Sequence, residues 1–324
     1  MEKTLDFRLA DTHLRGLIHA FGQNERLSKA LLDYGFVART HDDPCRHSTA
    51  DIEISRESLR GLGEELSILS PLDALLCPSG IYVRDSRVVP GPTIAVVPAS
   101  TEHSLPKIGI EVALALLLAR QGALSLHACG FRYNNIDFMV LGPSGAGKST
   151  LIAAALAAGG EVLTDDQLVC YLHDDRLHAR WLRKDLLLRR GGIGALPQRL
   201  RGKLQPLKIA NEQRWRLARE SLGGQALDCL EPDVILCLSP RKNSTDAFAT
   251  HSITPVSFAL TLANVIQSSS PALFSEAQFG TPALNDFTRE LLARTRHFRV
   301  STSTLLLTSP SVELDDIARA VAIS

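Results

Sequence analysis

The chain has 324 residues, with 35 Lys plus Arg balanced by 35 Asp plus Glu and a formal net charge of zero. A hydrophobic fraction of 45 % and a charged fraction of 22 % fit a globular protein with a real core, long enough for two modest domains or one large domain with an appendage. The charge balance excludes affinity drawn from a globally basic surface, as non-specific nucleic-acid binding requires.

The N-terminal stretch MEKTLDFRLADTHLRGLIH has no apolar segment behind a basic start and does not read as a secretory signal. The longest apolar run, Ile108 to Ala119, is short for a bilayer and carries Glu111, so it predicts a buried helix and no membrane span. Six cysteines (Cys45, Cys77, Cys129, Cys170, Cys229, Cys237) form no CxxC pair, which predicts reduced thiols in a cytoplasmic protein.

Residues 1–105 read as a separate α+β region for substrate binding or oligomerisation. It contains a helical stretch from Leu14 to Tyr34 and strands GIYVRDSRVV and TIAVVPA, the first folded as a hairpin around Asp85-Ser86. His41, Asp42, Asp43, Cys45 and His47 form a compact polar cluster. Pro44 and the crowded spacing suit a polar loop better than a tetrahedral metal site. Residues 106–324 then alternate helix, strand and turn as an α/β domain does. Later elements are a strand at Asp233 to Leu238, helices at 256–268 and 284–295, and a strand from Thr302 to Leu307.

The strand Asp137 to Leu141 runs into Gly142-Pro143-Ser144-Gly145-Ala146-Gly147-Lys148-Ser149-Thr150 and then an Ala/Leu helix ending at Gly159-Gly160. This is the Walker A pattern with the strand before and the helix after that it needs. Glycines let successive backbone N–H groups converge on one anion, and the helix adds its positive end. Lys148 supplies a point charge for the β- and γ-phosphates, and Ser149 a hydroxyl for Mg²⁺.

Upstream, Asn134-Asn135 between two apolar stretches suits a two-residue type I′ turn. Paired residues then sum to 269, which sets His127 opposite Gly142. That places His127 beside the phosphates or makes it a hydrogen-bonded strand-end histidine; the spacing admits both. Downstream, the strand from Glu161 ends in Asp165-Asp166. A strand–helix–strand unit returns both strands to one sheet edge, where α/β proteins bind ligands. Neighbouring strand residues face opposite sides, so one carboxylate can meet the acceptor and the other the metal.

LHACG, GPSGAGKST and TDD, in this order and spacing, resemble the catalytic domain of HPr kinase/phosphorylase and its relatives in peptide maturation, including kinases of lasso peptide precursors. The resemblance covers about residues 120 to 170. It implies a P-loop kinase core with a mixed sheet and flanking helices, ATP and Mg²⁺ as cofactors, and a homo-oligomer. Gly142, Gly145, Gly147, Lys148, Ser149 and Thr150 would hold phosphates and metal. Asp165 would be the general base, Asp166 a metal-side carboxylate, and His127 an assistant at the transferred phosphate. Leu188 stands where the family has an acid, and Thr150 where HPr kinase has a glutamate. These departures count against HPr itself as acceptor and against the reverse reaction.

Ten basic residues lie between Arg176 and Lys208. They form a solvated face or a grip on phosphate or an acidic peptide; Arg183 and Arg190, near a strand end and a Gly turn, are the candidates for the site. The reading that follows is an ATP-dependent kinase acting on a serine or other hydroxyl of a peptide or small protein. The alternatives are a small-molecule kinase, a P-loop ATPase and a regulatory nucleotide-binding protein. Ser221 to Gln225 (SLGGQ) is similar to an ABC-ATPase signature, but its first two residues are inverted, and the DVILCL strand lacks the terminal Asp-Glu such enzymes need.

Overall fold

A computed structural model describes residues 5–9, 17–20, 36–38, 52–58, 79–85 and 93–96 as backbone strands, and then residue 118 and residues 123–209, 212–239, 249–269, 282–301 and 310–323. The chain divides into two compact units, Met1–Gln121 with Ala272–Ala283, and Gly122–Pro271 with Leu284–Ser324.

In the first unit, strands β1 (Leu5–Leu9), β2 (Leu17–Ala20), β3 (Phe36–Ala38), β4 (Ile52–Ser58), β5 (Ser79–Asp85) and β6 (Thr93–Val96) form one sheet in the order β3-β1-β2-β4-β5-β6. The helix expected from Leu14 is corrected at residues 17–20, which pair with β1 and β4 as a strand. The alternation of Leu17, Ile18, His19 and Ala20 was too short to separate period 2 from period 3.6. The hairpin expected at Asp85-Ser86 is also revised, because β5 pairs with β4 and with Thr93–Val96. The cluster from His41 to His47 lies outside the described residues.

The second unit is a mixed α/β layer structure. Its central sheet has the order β10-β8-β9-β17-β19-β18, from β8 (Cys129–Tyr133), β9 (Ile136–Leu141), β10 (Glu161–Thr164), β17 (Val234–Leu238), β18 (Ala249–Ser252) and β19 (Arg296–Ser301). β9, β17 and β19 are parallel; β8 and β18 run against them. A four-stranded sheet joins β7 (Leu124–Leu126), β11 (Leu168–His173), β12 (Arg176–Trp181) and β16 (Cys229–Leu230). A three-stranded sheet joins β13 (Leu186–Leu188), β14 (Gln205–Ile209) and β15 (Glu212–Leu217).

The helices are α1 (Lys148–Ala157), α2 (Arg190–Ala195), α3 (Gln198–Arg201), α4 (Pro255–Ser269), α5 (Pro282–Arg294) and α6 (Pro310–Ile323). Among the described residues, no helix is long and apolar enough to cross a membrane.

Period-two alternation builds two cores, one on each face of the central sheet. Phe138 and Val140 of β9, with Val234, Leu236 and Leu238 of β17, pack against Leu151, Ile152 and Ala155 of α1 and Ile317 and Val321 of α6. The intervening Met139, Leu141, Ile235 and Cys237 pack on the other face against Leu168 and Cys170 of β11, Phe258 and Leu262 of α4 and Leu291 of α5. Phe131 and Phe138 stack with centroids 4.9 Å apart, an arrangement that contributes about 1 kcal/mol beyond area burial. α1 is apolar nearly all round, as a helix covered on all sides must be.

Asn134 and Asn135 both have positive φ, 51° and 59°, as a type I′ turn requires. The expected register holds from Tyr133↔Ile136 to Cys129↔Val140. Before Cys129 the strand breaks: Leu124–Leu126 crosses to β11 in the other sheet, so His127 sits in a bend and is not paired opposite Gly142. β9 and β10 are parallel in direction, but β8 lies between them. A register shift between Val162 and Thr164 marks a bulge just before the aspartate pair, a device that re-aims side chains. At the C-terminal end the strand is Arg296–Ser301, and the segment expected as a strand from Thr302 lies outside the described residues.

Candidate active site

The loop from Gly142 leaves the end of β9 and turns into α1. Gly145 and Gly147 have φ of 84° and 103°, values that L side chains adopt only with strain, which explains glycine at both positions. Lys148, 5 % exposed, donates to the carbonyl oxygens of Gly142 at 2.6 Å and Pro143 at 3.3 Å. Burial lowers its pKa, while Cys129 and Asp166 act the other way. Cys129 lies fully buried behind the loop, its thiol pKa pushed up by that burial.

The bulged end of β10 sends the two aspartates to different partners. Asp165, 2 % exposed, accepts from the Ser149 hydroxyl at 3.1 Å and from the Leu187 backbone N–H at 2.9 Å. Burial, and then the neighbouring Asp166, push its pKa up to about 6 against the pull of those two donors and Arg183. Asp166 is held from two sides: Arg183 donates to Oδ2, and His127 Nδ1 stands 3.0 Å from Oδ1. Divergent carboxylates were expected from strand alternation; here the pair lies just past the strand, and the bulge with the two sets of donors makes the split.

Arg183 reaches Asp166 through the β11–β12 hairpin. Its pairs, from His173↔Arg176 to Leu168↔Trp181, sum to 349, and 166 plus 183 extends that ladder. The turn residues Asp174 and Asp175 have φ of 48° and 56°, a second type I′ geometry. This signal was present in LVCYLH-DD-RLHARW and would have found the contact.

Of the two Arg-Gly-turn arginines, Arg189 rather than Arg190 touches the glycine loop. Arg189 Nη2 lies 3.2 Å from Ser144 Oγ and 3.4 Å from Glu212 Oε2, whereas Arg190 is exposed at the start of α2. A Cβ at Gly192 would come within 3.2 Å of Ser149 O, so glycine there lets α2 rest on the start of α1. Thr150 faces the same contact, its Oγ1 3.9 Å from a Cβ at Gly191. Leu188 is fully buried in the core beside α1.

Much of the remaining basic run is engaged within the molecule. Arg176 pairs with Glu231 and Lys184 with Glu220, while Arg201 donates to the Leu196 and Gly194 carbonyls. The SLGGQ segment also has a structural task, as Gln225 Nε2 donates to Leu156 O at 3.1 Å and Gly160 O at 2.8 Å, capping the end of α1. Arg219, 7 % exposed, donates to the carbonyls of Leu163 and Leu227 and stacks over Trp181, which anchors β10 just before the aspartates.

The site therefore offers a loop with two left-handed glycines, a buried ammonium, and a hydroxyl and two carboxylates as hard oxygen donors. Among the described residues, no group of three or more His, Cys, Asp or Glu side chains is arranged to hold a metal alone. A hard divalent cation at Ser149 would draw its other ligands from phosphate and water.

No family model matches the chain, and no curated protein does. Among solved structures it is similar to the HPr(Ser) kinase/phosphatase from Coxiella burnetii, with 10 % identity and a TM-score of 0.31 over 61 % of this chain and 98 % of that one. A likeness of that size leaves the chemistry to the residues of the site.

Proposed function

We propose that the chain is a Mg·ATP-dependent phosphotransferase that moves the γ-phosphoryl group to a hydroxyl. The acceptor class we favour is a serine of a peptide or small protein, with a lasso precursor peptide as the first candidate. The observation that carries the reading is the Ser149–Asp165 hydrogen bond of 3.1 Å, which joins the phosphate loop to a buried carboxylate. That contact puts a carboxylate within reach of both the metal and an incoming hydroxyl.

In this reading the glycine loop and Lys148 hold the phosphates and Ser149 holds Mg²⁺, which when bound neutralises charge on the β- and γ-oxygens. Asp165 takes the acceptor proton, and a pKa raised to about 6 suits a base working near neutrality. Arg183 and His127 keep Asp166 oriented toward the metal side.

The same hydrogen bond supports a second reading in which the roles are exchanged. A carboxylate that receives the Ser149 hydroxyl belongs on the metal side, leaving the more exposed Asp166 as base. Transfer from γ-labelled ATP, followed against Mg²⁺ concentration in Asp165→Asn and Asp166→Asn, separates the two. The metal-side variant regains rate at high Mg²⁺; the variant lacking the base does not. Free hydrolysis with no labelled acceptor among peptides and metabolites would remove the phosphotransferase reading.

A further inference from the structure

Arg189 stands between β13 and α2 at the mouth of the phosphate loop. Its side chain is 41 % exposed and touches two groups, the Ser144 hydroxyl at 3.2 Å and Glu212 at 3.4 Å. Ser144 directly follows Gly142 and Pro143, whose carbonyls hold the Lys148 ammonium. Arg189 is close enough for its charge to act on Lys148. Its backbone is fixed because α2 rests on Ser149 through Gly192. Its acidic partner is shared, since Arg214 Nη2 lies 2.7 Å from the same Glu212 oxygen. Arg189 can leave without stranding a charge: Glu212 keeps Arg214, and Ser144 is neutral.

We propose that Arg189 is a catalytic cation of phosphoryl transfer, leaving Ser144 and Glu212 to engage the non-bridging oxygens of the moving γ-phosphoryl group. The proposal rests on the phosphotransferase reading above. In the step, the bond between the γ-phosphorus and the β,γ-bridging oxygen breaks and its electron pair leaves with ADP. A bond from the acceptor oxygen to the γ-phosphorus forms, and the acceptor proton passes to the aspartate base. Arg189 makes no covalent bond; its planar fork of N–H donors matches two phosphoryl oxygens at once, which a lysine cannot do.

The test is calorimetric and needs no acceptor. Full-length wild type, Arg189→Ala and Arg189→Lys are titrated with Mg·ADP and with Mg·ADP plus aluminium fluoride, a planar mimic of the phosphoryl group in flight. Wild type is expected to bind the fluoride complex about 100-fold more tightly than ADP alone. Arg189→Ala loses about 30-fold of that gain while its ADP affinity stays within about 3-fold, and Arg189→Lys recovers only part. Three results overturn the proposal: full tightening in Arg189→Ala, equal losses for ADP and the fluoride complex, or no tightening in wild type. None of them bears on the aspartates; the phosphotransferase reading fails separately, on hydrolysis of labelled ATP without transfer to any acceptor.

Discussion

Ser149 donates its hydroxyl to Asp165 Oδ2 across 3.1 Å, so the first turn of α1 is tied directly to the end of a strand two positions away in the sheet. The carboxylate is oriented by a second donor, the Leu187 N–H at 2.9 Å, and has little freedom to turn elsewhere. Asp165→Asn preserves size and one acceptor oxygen but cannot hold a proton. ATP affinity should stay within about 3-fold while labelled transfer falls by about 10²–10⁴. A variant that transfers at the wild-type rate would remove Asp165 from the chemistry.

Asp165 also sets opposite pH trends for rate and stability. Its pKa is raised from 3.8 to about 6, chiefly by burial. With Asp165 in the proposed role of base, single-turnover transfer should rise with pH through about 6, because only the ionised carboxylate accepts a proton. For folding the sign reverses. A raised carboxyl pKa stabilises the native state fully below the unfolded value, and this contribution is lost as pH rises through the folded value. Urea unfolding of the nucleotide-free protein between pH 4 and pH 7 should show this loss in wild type and not in Asp165→Asn.

Lys148 donates to two loop carbonyls from a nearly buried position. Lys148→Ala removes the only charge on the loop itself and should weaken Mg·ATP binding by about 10²-fold or more, since hydrogen bonds to charged groups contribute about 1.5–3 kcal/mol each. Titration with a fluorescent ATP analogue measures it, and unchanged affinity would cancel the assignment of the loop.

The contacts of His127 and Arg183 with Asp166 call for a double-mutant cycle. Residues in one ion-pair network couple by about 0.5–3 kcal/mol. Asp166→Asn combined with Arg183→Ala should therefore cost less in transfer rate than the two changes added. His127→Ala should reduce rate by about 10-fold with ATP affinity unchanged. A substitution there that alters neither quantity would assign His127 a purely structural hydrogen bond.

His297 provides a stability test remote from the site. It is buried, stacked on Phe258 at 4.0 Å and 2.8 Å from the Thr295 hydroxyl, and burial lowers its pKa below 6.5. A depressed histidine pKa favours the neutral native form, so its contribution is present above about 6.5 and is lost as the pH falls below it. Thermal unfolding should show an acid-side decline that His297→Gln reduces.

The strand–loop–helix around Gly142–Gly147 and the Asn134-Asn135 hairpin were legible because local rules dictate them: a glycine spacing in one case, a two-residue turn in the other. The break at His127 was hidden, since LSLHACGFRY alternates smoothly and only competition from β11 diverts its first half. The Asp166–Arg183 contact could have been found by counting out from Asp174-Asp175. Arg189 and Arg190 are neighbours in an identical composition, and only the start of α2 decides which reaches Ser144. Arg296–Ser301 was not legible as a strand because Arg296 and Arg299 hide its apolar face, although it completes the parallel ladder with β17. The helix α6 was overlooked, and it covers α1 with Leu314, Ile317 and Val321.

Strand β8 occupies the slot between β9 and β10. The axes of β9 and β10 are therefore about two inter-strand spacings apart, roughly 9.6 Å, and it is the Ser149 and Asp165 side chains, beyond the strand ends, that close the interval to 3.1 Å. That spacing is set by main-chain ladders, but β8 tolerates little at Gly130, where a Cβ would come within 3.2 Å of Leu163 on β10 and 2.8 Å of Leu230. A side chain at Gly130 would therefore push on β10 just before the aspartates, whereas the outward-facing Arg132 can change without touching that spacing. A slip of the ladder by one residue would go further and turn Phe131 from one core to the other.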